Sequence, residues 1–199
     1  MAMNEKLIRY RTYLVLARAK LRKKVREIGE ELGRLEPGIS ELERGENIFV
    51  RFVTICSTAE VLGIPINEAC EAEYQYLTRR VNVDNDSYIE TPKYLRNRLK
   101  KPRTDVNLYR MYIYKQRLLL GLSKYQLTQK ARIIRDTYWR IEDGHQGIQV
   151  SFLSMYKIGK ALEMNFEWMY EQELLYLEKR FPEKVSALLE IHKKRKDPL

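Results

Sequence analysis

Residues 122–144 read LSKYQLTQKARIIRDTYWRIEDG and contain local signals for the start and the end of a helix. Ser123, followed three residues later by Gln126, forms a capping box, in which each side chain bonds a free backbone N–H of the other residue. Apolar residues then recur at helical spacing, and the closing glycine permits the left-handed backbone that ends a helix. The stretch therefore predicts two short helices, at about 123–130 and 134–142, joined by a tight turn.

The same layout occurs earlier in the chain. When residues 10–45 are aligned with 109–144, seven of 36 pairs are identical, and seven of 29 are identical when 52–80 are aligned with 152–180. The identical pairs include Tyr10/Tyr109, Arg11/Arg110, Tyr13/Tyr112, Arg18/Arg117, Leu21/Leu120, Glu43/Glu142, Gly45/Gly144, Glu71/Glu171, Glu73/Glu173 and Arg80/Arg180. A repeat of this length indicates two joined units of one fold, named below the first copy (10–80) and the second copy (109–180).

Helical periodicity dominates both copies, so we expect an all-α protein. The expected helices lie at about 5–20, 24–31, 36–44, 51–62 and 66–80, and at about 106–120, 123–130, 134–142, 151–162 and 166–180. Pro182 begins one more helix, whose apolar face carries Val185, Leu188, Leu189 and Ile191. The expected domains are 1–80 and 106–180, with a linker over 81–105 and a C-terminal helix and basic tail over 181–199. That helix either packs on the rest of the chain or joins two chains by self-association.

Positive charge is concentrated in the second half of the chain. Residues 1–91 carry 14 Lys/Arg and 15 Asp/Glu, whereas residues 92–199 carry 23 and 12. The end of the linker contains six cations and no acid between Pro92 and Arg103. A basic cluster favours a polyanionic partner, because its cations release counterions from nucleic acid. This segment is therefore either a phosphate-contacting arm or a solvated linker.

Several other classes of protein are disfavoured. No apolar run approaches the roughly 18 residues of a membrane span, and the N-terminus lacks the apolar core of a signal peptide. Cys56 and Cys70 fall at apolar positions of expected helices, which predicts buried thiols in a reducing compartment. The sequence contains no CxxC pair, no phosphate-binding glycine loop and no catalytic triad at informative spacing. We expect a cytoplasmic protein that is not an enzyme and that uses no metal, cofactor, membrane or small-molecule substrate.

Residues 122–144, and the matching KKVREIGEELGRLEPGISELERG at 23–45, resemble the core of the lambda-repressor/Cro-like (XRE-type) helix-turn-helix family. Leu127 and Ile141 stand at the positions that pack the two helices together, and Glu142 with Gly144 matches the end of the family pattern. The resemblance spans both copies. It implies two tandem five-helix DNA-binding domains, joined by the basic linker and followed by the C-terminal helix.

In this family the second helix of the unit lies in the major groove, with its N-terminal residues at base edges. Arginine can bond guanine through two hydrogen bonds, and threonine can meet a thymine methyl or a phosphate. Lys124 stands at a helix N-terminus, which suits an anion, and Arg132 replaces the usual turn glycine, which predicts a less tight turn. The residues expected to contact DNA are Lys100, Lys101, Arg103, Lys124, Arg132, Arg135, Asp136, Thr137, Arg140, Gln146 and Gln149.

Several aromatic residues keep alternatives open. Tyr10, Tyr13, Tyr109 and Tyr112 are expected to pack between helices, with base stacking as the alternative. Trp139 is either partly buried or in contact with a sugar or thymine methyl.

The first copy differs where DNA would lie. It presents Glu36, Pro37, Gly38 and Glu41 on its corresponding helix. Because carboxylates facing phosphates cost binding energy, we expect this copy to hold the pair together or to touch DNA non-specifically.

The resemblance implies a sequence-specific regulator of transcription that binds double-stranded DNA, from a bacterium or a phage. Fusion of the copies would make it a covalent pseudo-dimer, read mainly by the second copy. A repressor is preferred, because nothing resembles an inducer-binding or protease domain. Two alternatives remain: an architectural or accessory DNA-binding protein of a plasmid, phage or conjugative element, and an antitoxin-like or inhibitor-like protein-interaction module that has lost DNA reading.

Overall fold

The computed structural model describes residues 10–33, 36–46, 49–80, 109–145 and 149–196. Within these ranges the chain is all-α, as predicted, and forms no strands. The helices are α1 Thr12–Lys20, α2 Val25–Glu31, α3 Glu36–Arg44, α4 Phe52–Val61, α5 Ile66–Arg80, α6 Met111–Leu119, α7 Lys124–Ala131, α8 Arg135–Glu142, α9 Phe152–Ala161, α10 Phe166–Arg180 and α11 Pro182–Lys196. None of these helices combines the length and the apolar character that crossing a membrane requires.

The first helix of each copy begins later than its sequence predicts. Arg11 and Arg110 precede α1 and α6 with non-helical backbone, at ψ 74° and 77°. Their backbone N–H groups donate to the carbonyls of Glu43 and Glu142, each at 2.8 Å, which ties the start of each copy to the end of α3 or α8. These long-range bonds keep the two N–H groups out of the helix. The predicted starts at 5 and 106 lie outside the described residues.

The ends of the helices repeat between the copies even where the residue type does not. Left-handed backbone, with φ between 50° and 72°, occurs at the matched pairs Arg22/Gly121, Gly33/Arg132, Gly45/Gly144 and Gly63/Glu163. Residues with a Cβ rarely adopt this conformation, so each non-glycine member is held there by the fold. Arg132, at φ 50° and ψ 54°, takes the same region as Gly33. The looser turn that its sequence predicts is therefore not observed.

A buried ion pair joins the residue before the first helix of each copy to the last helix of that copy. Arg110 donates from Nε to Glu173 at 2.8 Å, and Arg11 makes the same bond to Glu73 at 2.8 Å. Tyr112 donates its hydroxyl to Glu173 at 2.6 Å. Removing such charges from water is costly, so their remaining hydrogen-bonding capacity must also be satisfied. Nη1 of Arg110 meets this requirement by donating to the Ile141 carbonyl at 2.8 Å.

The two copies pack on each other through matching segments. The N–H of Phe52 donates to the Val150 carbonyl at 3.2 Å, and the N–H of Phe152 donates to the Val50 carbonyl at 2.7 Å. The Phe52 and Phe152 rings stack with centroids 6.4 Å apart. Because each contact is repeated by its counterpart 100 residues away, the copies are related here by a local two-fold axis.

The C-terminal helix α11 packs within the chain, against α10 of the second copy and α4 of the first. Val185 and Leu188 on its apolar face are buried, and Leu189 and Ile191 are partly buried. Of the two alternatives for this helix, packing is therefore the one observed, and self-association stays a prediction. Cys56 and Cys70 are buried thiols, as their sequence positions predict.

Candidate nucleic-acid interface

Helices α7 and α8 and the turn between them form the unit that the sequence singles out. The capping box is present: Ser123 Oγ accepts from Gln126 N at 3.1 Å, and Gln126 Oε1 accepts from Ser123 N at 2.8 Å. Leu127 and Ile141 are fully buried on the facing sides of the two helices, as predicted. Lys157 of α9 donates to the Arg132 carbonyl at 3.1 Å, and this bond joins α9 to the turn between α7 and α8.

Helix α8 exposes fewer residues than expected. Arg135 and Asp136 are exposed at its N-terminal turn, and the side chain of Arg140 retains 15% exposure. Thr137 is only 4% exposed, although its expected contact with DNA requires a side chain that points outward. Because the eight-residue helix packs on both α6 and α7, its buried stripe is wide enough to include Thr137. The prediction of an outward Thr137 is therefore wrong.

Two cationic side chains, those of Arg135 and Lys124, lie over the Trp139 ring, and the pair of Arg135 and Trp139 is called the stack below. The guanidinium carbon of Arg135, one helical turn earlier, lies 4.0 Å from the centroid of the Trp139 ring. Lys124 Nζ lies 5.7 Å from the same centroid and 6.0 Å from the Tyr109 centroid. Trp139 is half-buried, in agreement with the more conservative of its two sequence interpretations. The helical spacing of Arg135 and Trp139 is the sequence signal that would have revealed this stack.

Lys124 is also engaged by carboxylates. Its Nζ lies 2.7 Å from Asp143 Oδ1 and 3.0 Å from Glu142 Oε1. Burial opposes the charged form of this amine, but the hydrogen bond to Asp143 and the charge of Glu142 outweigh it and raise the pKa of Lys124. The side chain therefore stays cationic, although a phosphate would share it with two acids.

A polar cluster beneath the surface fixes α8 against α6. Arg117 Nε donates to Glu142 at 2.8 Å, and the Tyr138 hydroxyl donates to the same carboxylate. Burial favours the neutral acid, but the hydrogen bonds from Arg117 and Tyr138 and the charge of Lys124 prevail and lower the pKa of Glu142. Burial and the Glu142 charge raise the pKa of Tyr138, which stays a neutral donor.

The remaining predicted residues are placed only in part. Arg132 is exposed in the turn, and Gln149 is exposed before α9. The other predicted contacts lie outside the described residues: Lys100, Lys101, Arg103 and Gln146. Of the predicted contacts, the structure therefore brings Lys124 and Arg135 together at Trp139.

The corresponding surface of the first copy has a different chemistry. Ser40 stands at the position of Trp139, Val25 at that of Lys124 and Glu41 at that of Arg140. Glu41 is exposed on α3, and Arg44 pairs with Glu46 at 2.9 Å. The side chains of Glu36 and Pro37 lie outside the described residues. Without an aromatic ring at position 40, the first copy cannot build the stack of the second.

Comparison of this chain with protein-family models, with curated proteins and with solved structures found no match in any of the three.

Proposed function

We propose that this chain is a sequence-specific, double-stranded DNA-binding regulator of transcription, a repressor, built from two tandem five-helix domains that act as a covalent pseudo-dimer. The observation that carries the proposal is the surface of α7 and α8. There, Arg135 is exposed at the N-terminal turn of α8 and lies over the Trp139 ring, and Lys124 lies beside that ring. A cation that is exposed at the start of such a helix can reach base edges in the major groove.

The packing of the two copies supports the pseudo-dimer. Elements related by a two-fold axis lie at the same position along that axis. The reciprocal bonds at Phe52 and Phe152 therefore favour an arrangement in which α3 and α8 lie side by side at the same position along it. Symmetric helix-turn-helix dimers use this arrangement to meet two half-sites about one DNA turn, or roughly 34 Å, apart. Fusion in one chain would hold the spacing without a dimerisation equilibrium.

The difference between the copies favours reading by the second. Residues 122–144 contain five Lys/Arg and three Asp/Glu, whereas residues 23–45 contain five and six. Because duplex DNA attracts cations and repels carboxylates, the second unit is favoured at the phosphates. The first copy would then contribute packing and weak backbone contacts to the complex.

A protein-interaction role is the second candidate, and α3 is the feature that favours it. This helix exposes Glu41, and nothing lies within 4 Å of the Cβ position of Gly38. An acidic helix with an open glycine suits a basic protein surface better than it suits DNA. Co-purification of a stoichiometric protein partner, together with no affinity for duplex DNA, would favour this candidate over the first.

Competition binding at moderate salt separates the candidates. The chain should prefer a selected duplex over random competitor DNA, and Arg135→Ala should weaken that specific binding by roughly 1–3 kcal/mol. Lys130→Ala is the control, because it removes a positive charge from α7 of the same copy, where Lys130 pairs with Glu163. This variant should lower affinity for all duplexes alike or leave it unchanged. A wild-type chain without preference for any duplex contradicts the proposal.

A further inference from the structure

The stack of Arg135 on Trp139 assigns the indole a role in recognition. We propose that Trp139 is a positioning residue that holds the Arg135 guanidinium for a guanine, so that the half-site read by the second copy contains a G·C pair at that position. This inference rests on the proposed function, and it names the base that the site takes and the residue that selects it.

The geometry favours a preorganised arginine. Arg135 and Trp139 are one helical turn apart, and the guanidinium carbon lies 4.0 Å from the ring centroid, the distance of a close cation–π contact. The ring itself packs against the buried core, whereas Arg135 is exposed. A flexible side chain thus lies on a packed aromatic ring before any ligand binds, which lowers the entropic cost of ordering it on binding.

Stacking leaves the hydrogen-bonding edge of an arginine available. The guanidinium is planar, so a ring can cover its face while its N–H fork points outward in the plane. Guanine presents O6 and N7 as two acceptors in the major groove, and a fork bonds both at once. A lysine ammonium at this position would have no such plane, and its contact would not distinguish guanine as strongly.

The indole nitrogen indicates that the face of the ring is what matters. Nε1 of Trp139 is buried, and it has no hydrogen-bond partner within the described part of the chain. A buried donor without a partner is a cost to the fold, so hydrogen bonding does not account for a tryptophan here. The large aromatic face that the ring offers to Arg135 accounts for a tryptophan at this position. Phenylalanine keeps an aromatic face without the unpaired donor and is therefore the conservative variant.

The first copy lacks every part of this arrangement except the tyrosine. Tyr10 matches Tyr109. The positions of Lys124, Arg135 and Trp139 are occupied in the first copy by Val25, Glu36 and Ser40, in that order. The preference for guanine should therefore occur in one half of the binding site only.

Fluorescence tests the stack without DNA. The chain has two tryptophans, so Trp168→Phe leaves Trp139 as the sole indole. In this background Arg135→Ala should shift or change the intensity of the Trp139 emission, whereas Arg132→Ala, in the neighbouring turn, should change it less. An emission that Arg135→Ala leaves unaltered overturns the inference and leaves the proposed function standing.

Binding tests the role of the stack. The probes are the duplex that the wild-type chain selects from a random pool and the same duplex with each G·C pair replaced in turn by A·T. Trp139→Leu should reduce the discrimination at one G·C pair about 2- to 10-fold, and Trp139→Phe should restore most of it. Thermal unfolding of each variant shows whether the fold is retained. A purely structural role of Trp139 would weaken binding to all duplexes alike and would leave the discrimination between them unchanged.

Each outcome of the binding test decides something. If Trp139→Leu keeps the full preference for guanine while Arg135→Ala loses it, the inference is overturned and the proposed function is not. If Trp139→Phe discriminates no better than Trp139→Leu, the aromatic face is not what positions Arg135, and the inference fails. If the wild-type chain binds no duplex, the proposed function and the inference fall together.

Discussion

Lys160 Nζ lies 2.9 Å from Glu71 Oε1, and this ion pair joins the two copies on one side of their interface. By the 100-residue offset, the matching pair on the other side is Glu60 and Glu171, two carboxylates. The C-terminal helix α11 places His192 there, with Nδ1 2.6 Å from Glu60 and Nε2 4.0 Å from Glu171. Thus α11 supplies polar partners at the place where the internal repeat brings two acids together.

The contact between His192 and Glu60 should stabilise the fold. His192→Ala should lower the free energy of unfolding by about 1–3 kcal/mol, because it removes a hydrogen-bond partner from the buried carboxylate of Glu60. Lys194→Ala, an exposed position of the same helix, should change it by less than about 0.5 kcal/mol. Urea denaturation measures both. Equal stabilities of the two variants would show that the contact of His192 with Glu60 does not stabilise the packing of α11.

The second prediction uses two glycines with opposite surroundings. A Cβ at Gly159 would lie 2.6 Å from Phe166 Cε1 and 3.0 Å from Met169 Sδ, both buried, so Gly159→Ala should cost about 1–3 kcal/mol of stability. Gly38 lies in a helix with nothing within 4 Å of its Cβ position. Gly38→Ala should therefore stabilise the protein by about 0.5–1 kcal/mol. Thermal or urea unfolding measures both signs, and a stabilising Gly159→Ala would contradict the packing of α9 on α10.

The contribution of Glu142 to stability should depend on pH. The Arg117 and Tyr138 bonds lower the folded-state pKa of Glu142 below its unfolded value, so its contribution is complete above about pH 4.3 and is lost as the pH falls through the folded-state value. Glu142→Gln should lower the free energy of unfolding at pH 7 by about 1–3 kcal/mol. The difference from wild type should shrink in acid.

Urea denaturation at pH 7 and at about pH 3.5 tests this linkage. Glu190→Gln, an exposed position on α11, is the matched control and should leave stability nearly unchanged at pH 7. A Glu142→Gln variant whose deficit is as large in acid as at pH 7 would mean that the deficit does not come from the charge of Glu142.

Most of the helices could be predicted from sequence because their ends are determined locally. The capping box at Ser123 predicts the start of α7, and Gly144 predicts the end of α8, each to within a residue or two. Arg11 shows the limit of local rules. Periodicity predicts it within a helix, but its N–H bonds the distant Glu43 carbonyl and its backbone is non-helical.

The parts that sequence missed depend on tertiary contacts. Periodicity in an eight-residue helix leaves the edge of the buried stripe undecided, and Thr137 lies at that edge. The ion pair of Arg110 and Glu173 spans 63 positions, too far for any spacing rule. Its signal was present in another form: both residues are identical between otherwise divergent copies, as expected for charges that each copy must bury together.

Selection of bound duplexes from a random pool shows whether α8 of the second copy reads DNA, when it is carried out in parallel with the wild-type chain and with Arg135→Ala. The wild type should enrich one asymmetric sequence with a guanine in one half, and Arg135→Ala should lose enrichment at that guanine. If the wild type enriches nothing, or if both proteins enrich the same sequence equally, α8 does not read DNA through Arg135.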